Sequence, residues 1–190
     1  MTEADLIRLL SERFHGNFAD ETARRVRDAG AVDLLYAVVT APHPELPGPV
    51  RQKVLFRGAY VLERIYFDAP EAFMPRAESF CRVDFAAHRV EPIIREVCKP
   101  AQNDQQFCFH ILNEGRDILW WSERTGYGHY YLYDGNGRLQ GAVTSGAYVA
   151  GKIERIDTLA RTIVYEGYGR EPGVNPHYRF YYKTGFNGGE

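Results

Sequence analysis

Cys108 and His110 stand two residues apart, a spacing at which a β-strand turns both side chains to one face. A thiolate beside an imidazole is the start of a nucleophilic pair. The sequence offers no third group to orient this imidazole, so the plainer reading is a core cysteine next to a partly buried histidine. The six histidines lie at 15, 43, 88, 110, 129 and 177. They form no His-x-x-x-His, and the cysteines form no Cys-x-x-Cys, so neither a zinc site nor any other cofactor is expected. Asp134-Gly-Asn136-Gly-Arg138 begins like a calcium loop but places an arginine where the third oxygen ligand belongs, and it reads as a turn. Gly126-Tyr-Gly128 and Gly167-Tyr-Gly169 lack the rest of a dinucleotide or phosphate fingerprint. Arg24-Arg25-Val-Arg27 reads as a solvated helix face, and Arg170 and Glu171 as a pair that shapes their own loop. That leaves Trp120, Trp121 and Tyr127 as candidate binding residues and no catalytic candidate. The two tryptophans are adjacent, so on a strand they face opposite ways, one of them free to serve as a platform.

Composition sets the wider bounds. The formal net charge is −2 over 190 residues, with basic and acidic residues interspersed, which argues against a nucleic-acid binder. Three cysteines, Cys81, Cys98 and Cys108, cannot all pair within one chain and suit reduced thiols. The first sixteen residues are charged throughout and lack a signal peptide's apolar core. No apolar run approaches the ~20 residues needed to cross a bilayer. The expectation is a soluble, cytoplasmic protein with no membrane partner.

The elements that position these residues fall into two halves, and the expected fold class is α+β. Residues 1–86 read as helical: Leu6, Leu10 and Phe14 recur at four-residue spacing after Thr2, and a second helix is expected over 19–29. AVDLLYAVVTA, apolar almost all round, predicts a buried helix. Val50, Val54, Val61, Leu62 and Ile65 predict one side of a long helix, and Asp68 caps another carrying Phe73, Ala77 and Phe80. Four prolines between Pro42 and Pro49 predict an extended link. As a pattern, this half resembles the stacked helix pairs of HEAT-like repeat proteins, with an ordinary helical bundle as the alternative.

From residue 87 to 190 the pattern changes. Ten of thirteen tyrosines, both tryptophans and fourteen of eighteen glycines lie beyond residue 103, the mixture of pleated-surface and turn residues that a sheet requires. Strands are expected near 89–97, 107–113, 117–124, 128–134, 138–144, 148–157, 161–167 and 177–184. Asp134-Gly-Asn-Gly and Asn113-Glu-Gly close the hairpins, and Pro92 suits only an edge or an irregular strand.

Four motifs in this half occur in order: Trp121-Ser-Glu-Arg-Thr-Gly126, His129-Tyr-Tyr-Leu-Tyr-Asp134, Val143-Thr-Ser-Gly146 and Gly169-Arg-Glu-Pro-Gly-Val-Asn-Pro-His-Tyr-Arg179. Together they resemble the N-terminal β-propeller of dipeptidyl peptidase IV-type serine peptidases, in the prolyl oligopeptidase superfamily. The resemblance implies one four-stranded blade over 107–145 and three strands of the next over 148–186. It also implies chemistry elsewhere, since the family's Ser-Asp-His triad belongs to an α/β-hydrolase domain. The chain has no G-x-S-x-G elbow and no Glu-Glu pair of the kind that holds the substrate amine in that family, so no functional residue carries over.

The leading expectation is therefore a non-catalytic module that binds protein or peptide. Two alternatives stand beside it: a fragment of a serine exopeptidase whose hydrolase domain lies outside this chain, and a single α+β domain without a ligand. Incomplete blades are also expected to expose aromatic faces and to favour a homo-oligomer.

Overall fold

The computed structural model describes residues 37–42, 49–57, 60–67, 77–84, 89–97 and 108–188. The chain divides into two compact units, residues 1–101 and 102–190.

In the first unit the described residues form a five-stranded antiparallel sheet. Its strands are β1 (Ala37–Pro42), β2 (Pro49–Arg57), β3 (Tyr60–Phe67), β4 (Ala77–Asp84) and β5 (Arg89–Val97), in that spatial order. This overturns the α+β expectation of a helical, HEAT-like segment: the expected helices over 31–41, 50–65 and 68–80 meet β1, β2, β3 and β4 instead. The physical reason is that residues four apart share a face of a strand as well as of a helix, so Val50/Val54 and Val61/Ile65 satisfied both periods. The deciding signal was composition. YVLERIYF and AVVTAP are rich in β-branched and aromatic residues. Only Gly58 and Ala59 separate Arg57 from its partner Tyr60, the spacing of a two-residue hairpin. The helices expected before residue 31 lie outside the described residues.

Leu62, Phe80 and Ile94 stand opposite one another on β3, β4 and β5 and are almost wholly buried. Each such side chain contributes about 1.5–3 kcal/mol by leaving water. Tyr60 stacks flat on Phe80, centroids 5.3 Å apart. Pro92 sits where its chemistry allows. It lies on β5, the last strand of the sheet, beside a register shift between Phe80 and Cys81 that relieves the missing ladder donor.

The second unit holds two antiparallel sheets. One is four-stranded, β6 (Phe109–Leu112), β7 (Asp117–Ser122), β8 (His129–Asp134) and β9 (Leu139–Ala142). The other is three-stranded, β10 (Val149–Asp157), β11 (Thr162–Tyr168) and β12 (Arg179–Gly185). With β5, these are the eight strands expected from residue 87 onward. The β6–β7 link is a 3-10 turn, Asn113–Gly115, in which all three residues have positive φ. In the β8–β9 turn the Asp134 carboxylate accepts the backbone N–H groups of Asn136 and Arg138, each at 2.9 Å, while Gly137 takes φ 81°. That carboxylate is committed to the turn.

The core of this unit joins its two sheets. Leu119, Trp121, Tyr130 and Leu132 from the first pack with Ala150, Ile153, Ile163 and Tyr165 from the second, and Val143, Tyr148 and Phe186 complete the cluster. Polar atoms inside it are paired. Trp121 Nε1 donates to the Ala150 carbonyl at 2.7 Å, Tyr130 Oη donates to the Gly151 carbonyl at 2.7 Å, and the Ala150 N–H donates to the Gly128 carbonyl at 2.8 Å. At the far end Arg161 pairs with Asp117 at 3.1 Å and lies over the Phe186 ring. Neither Cys81 nor Cys108 is in a disulfide. Among the described residues no helix is long and apolar enough to cross a membrane.

Candidate functional site

The two Gly-Tyr-Gly sequences, set aside above as incomplete phosphate motifs, build one surface. Tyr127 leads into β8 and Tyr168 ends β11, and both line an open groove of about 600 Å³ with Ala147, Tyr148, Val149, Gly169, Pro176 and His177. The flanking glycines do matching work in the two copies. Gly126 and Gly169 take φ of 92° and 76°, a left-handed backbone that L side chains rarely adopt. Gly128 and Gly167 are covered by the rings of Trp121 and Tyr182, so a Cβ at either would collide with an aromatic ring. One glycine thus turns the chain and the other lets an aromatic ring lie on the backbone. Between them each tyrosine is delivered to the groove.

The groove wall is held from behind. The Tyr148 hydroxyl meets the Tyr165 hydroxyl at 2.6 Å, its ring stands edge-on to His129 at 5.1 Å, and the Arg170 guanidinium lies 5.1 Å over it. Tyr168 donates to Glu166 at 2.8 Å, and Arg179 donates to the other oxygen of that carboxylate at 2.9 Å. Burial pushes the Glu166 pKa up, but the bonds from Tyr168 and Arg179 outweigh it and hold the carboxyl below its ordinary range. Tyr182, which donates to Glu171 at 2.7 Å, has its pKa pushed up to about 12 by burial and by that bond.

His129 is buried and both its ring nitrogens are occupied. Nδ1 lies 3.0 Å from Thr144 Oγ1 and Nε2 lies 3.0 Å from the Gly146 carbonyl. A carbonyl only accepts, so the proton sits on Nε2. Thr144 accepts the Tyr130 N–H and gives its own proton to Nδ1. Burial depresses the His129 pKa, the bond to Gly146 opposing it. This histidine is a brace for the 144–148 segment rather than a base.

Of the residues named from sequence, Tyr127 is 43% exposed in the groove, while Trp120 and Trp121 are fully buried. Trp121 lies under Gly128, one residue from Tyr127, and supports the groove from inside. Trp120 faces the other side of β7, tilted against Phe109 at 6.3 Å. Cys108 turns to Tyr130, Sγ to Oη 3.1 Å, and burial raises its thiol pKa, which favours an S–H that donates to the tyrosine. Tyr148, Tyr168, Pro176 and His177 were not named from sequence; the repeated Gly-Tyr-Gly was the signal that could have found Tyr168. The groove offers aromatic faces, a proline, a valine and an imidazole. This chemistry binds by stacking and hydrogen bonding, and no serine or cysteine lines it.

Residues 66–188 match the model of a protein family described as the dipeptidyl peptidase IV (DPP IV) N-terminal region. The chain belongs to this family. The expected resemblance to the DPP IV N-terminal propeller region, placed over about residues 87–190, thus holds, and the match also takes in β4 ahead of it. Among solved structures, the chain is similar to the crystal structure of dipeptidyl peptidase 4 from Porphyromonas gingivalis, at 16% identity and a TM-score of 0.45. That alignment covers 79% of this chain and 26% of the other. No curated protein sequence matches.

Proposed function

We propose that this chain is a non-catalytic, peptide-binding part of a DPP IV-type protein, and that peptide lies in the groove between Tyr127 and Tyr168. The observation that supports the reading most is the convergence of the two Gly-Tyr-Gly tyrosines, one from the β7–β8 loop and one at the end of β11, on one open surface. Aromatic side chains with few rotatable bonds give large contact area at low entropic cost and dominate peptide and protein interfaces. The Tyr127 hydroxyl and His177 supply the polar contacts that orient a ligand.

Fluorescence anisotropy of a labelled, degenerate peptide mixture tests this. Binding is expected for the wild type, and Tyr127→Ala is expected to weaken it about tenfold, the loss of one aromatic anchor. No binding, or binding indifferent to Tyr127→Ala and Tyr168→Ala alike, overturns the reading.

The family match favours a second reading, in which the chain serves as the propeller part of a serine exopeptidase. Both readings expect no turnover of a dipeptidyl chromogenic ester or amide by the chain itself. Hydrolysis at a rate above buffer that co-purifies with the chain would reject the non-catalytic assignment.

A further inference from the structure

Pro176 and His177 line the groove, yet they belong to the link between β11 and β12, residues 169–178. Past Arg170 this link buries nothing: residues 171–178 are all exposed, Val174 and Tyr178 included. The Val174 N–H donates to the Glu171 carbonyl and the Tyr178 N–H to the Asn175 carbonyl, which closes turns within the link. The Asn175 side-chain oxygen accepts the His177 N–H at 3.0 Å and does the same. A segment without buried side chains keeps one position only where something ties it down.

Arg170 and Glu171, at the start of the link, each turn to a tyrosine. The Arg170 guanidinium lies 4.4 Å over the Tyr182 ring and 5.1 Å over the Tyr148 ring, within reach of a cation–π contact with both. The Glu171 carboxylate accepts the Tyr182 hydroxyl at 2.7 Å, a short charge-assisted bond. Tyr148 belongs to the core that joins the two sheets, and Tyr182 packs against that core. The link is thus tied to the core side of β12. A planar guanidinium stacks on both rings, where an ammonium would meet them only as a point charge. We propose that Arg170 and Glu171 are positioning residues of the groove: they clamp the link to Tyr182 and Tyr148 and so hold Pro176 and His177 where a peptide meets them. This deepens the peptide-binding reading and rests on it.

Two measurements separate the clamp from the groove. The first needs no peptide. Backbone order parameters of residues 171–178 are expected at about 0.85 in the wild type. They are expected below about 0.6 in a variant carrying Arg170→Met and Tyr182→Phe, with β7 and β8 unchanged. The second is anisotropy of the labelled peptide mixture, where Arg170→Met alone is expected to weaken binding about fivefold. Glu171→Gln leaves the guanidinium in place, gives a smaller loss and serves if Arg170→Met perturbs folding. With Pro176→Ala and His177→Ala already in place, Arg170→Met is expected to cost less than about twofold more, since the groups that it positions are gone. An arginine that only stabilises the fold would cost the same in both backgrounds. Order parameters that stay high in the double variant overturn the proposal. So does an Arg170→Met loss that is absent, or that is as large with the two alanines as without them. A wild type that binds no peptide rejects the groove reading instead, and the order parameters then decide the clamp by themselves.

Discussion

The two sheets of the second unit differ in what their faces are made of. In β6–β9 both faces of the central strands are buried: Ile118 and Trp120 on one side, Leu119 and Trp121 on the other. In β10–β12 one face is apolar and buried, through Ile153, Ile163 and Tyr165, and the other is polar, carrying Arg155, Arg179 and Lys183 with a Glu166 that is itself buried. The first sheet is therefore the buried scaffold, and the second presents a charged face. They meet at the groove, where the β7–β8 loop supplies Tyr127, the segment before β10 supplies Tyr148 and the end of β11 supplies Tyr168.

Breaking the scaffold should cost most. Trp121→Ala removes a fully buried indole and its bond to the Ala150 carbonyl, with an expected loss of about 3–5 kcal/mol in urea unfolding. Tyr181→Ala, on the presenting sheet, is expected to change stability by less than about 0.5 kcal/mol. Equal effects would erase the contrast between the sheets.

The paired glycines come next. Gly128→Ala and Gly167→Ala each drive a methyl into an aromatic ring and are expected to destabilise by about 1–3 kcal/mol. Gly126→Ala meets no atom and suffers only the left-handed backbone, at about 1 kcal/mol. Chemical denaturation of the three variants checks this order.

Acid should weaken the unit in two windows. His129 has a folded pKa below its ordinary 6.5, so the unfolded chain binds the proton first and stability falls as pH drops below that value. Glu166 likewise has a folded pKa below its ordinary 4.5, so a second loss sets in as pH falls below that value. Melting curves of wild type and His129→Gln between pH 7 and pH 5 should diverge, with the variant the flatter of the two. A parallel decline contradicts the assignment.

A small effect is expected at Arg161. Its pair with Asp117 is half-exposed, so Arg161→Ala should cost no more than about 1 kcal/mol, some of it from lost contact with Phe186.

The second unit was legible in the sequence because its turns carry their own chemistry. Asp134-Gly-Asn-Gly can close only a few loops, and the strand HYYLYD before it has no helical stripe. The first unit was misread because four-residue spacing does not separate helix from strand, and the β-branched content of YVLERIYF was outweighed by that spacing. The groove was half legible. Tyr127 was named and the second Gly-Tyr-Gly could have found Tyr168, but Tyr148 and His177 reach it only through the packing of two sheets, which local patterns do not encode. The tryptophans were named as candidates because neighbours on a strand face opposite ways, leaving one free as a platform, yet both are buried at the centre of the scaffold.

Backbone amide chemical-shift mapping during titration with the degenerate peptide mixture tests the central claim most directly. Shifts are expected to cluster at Tyr127, Ala147–Val149, Tyr168–Gly169 and His177. An absence of shifts, or shifts scattered over β6–β9 with none in the groove, would contradict it.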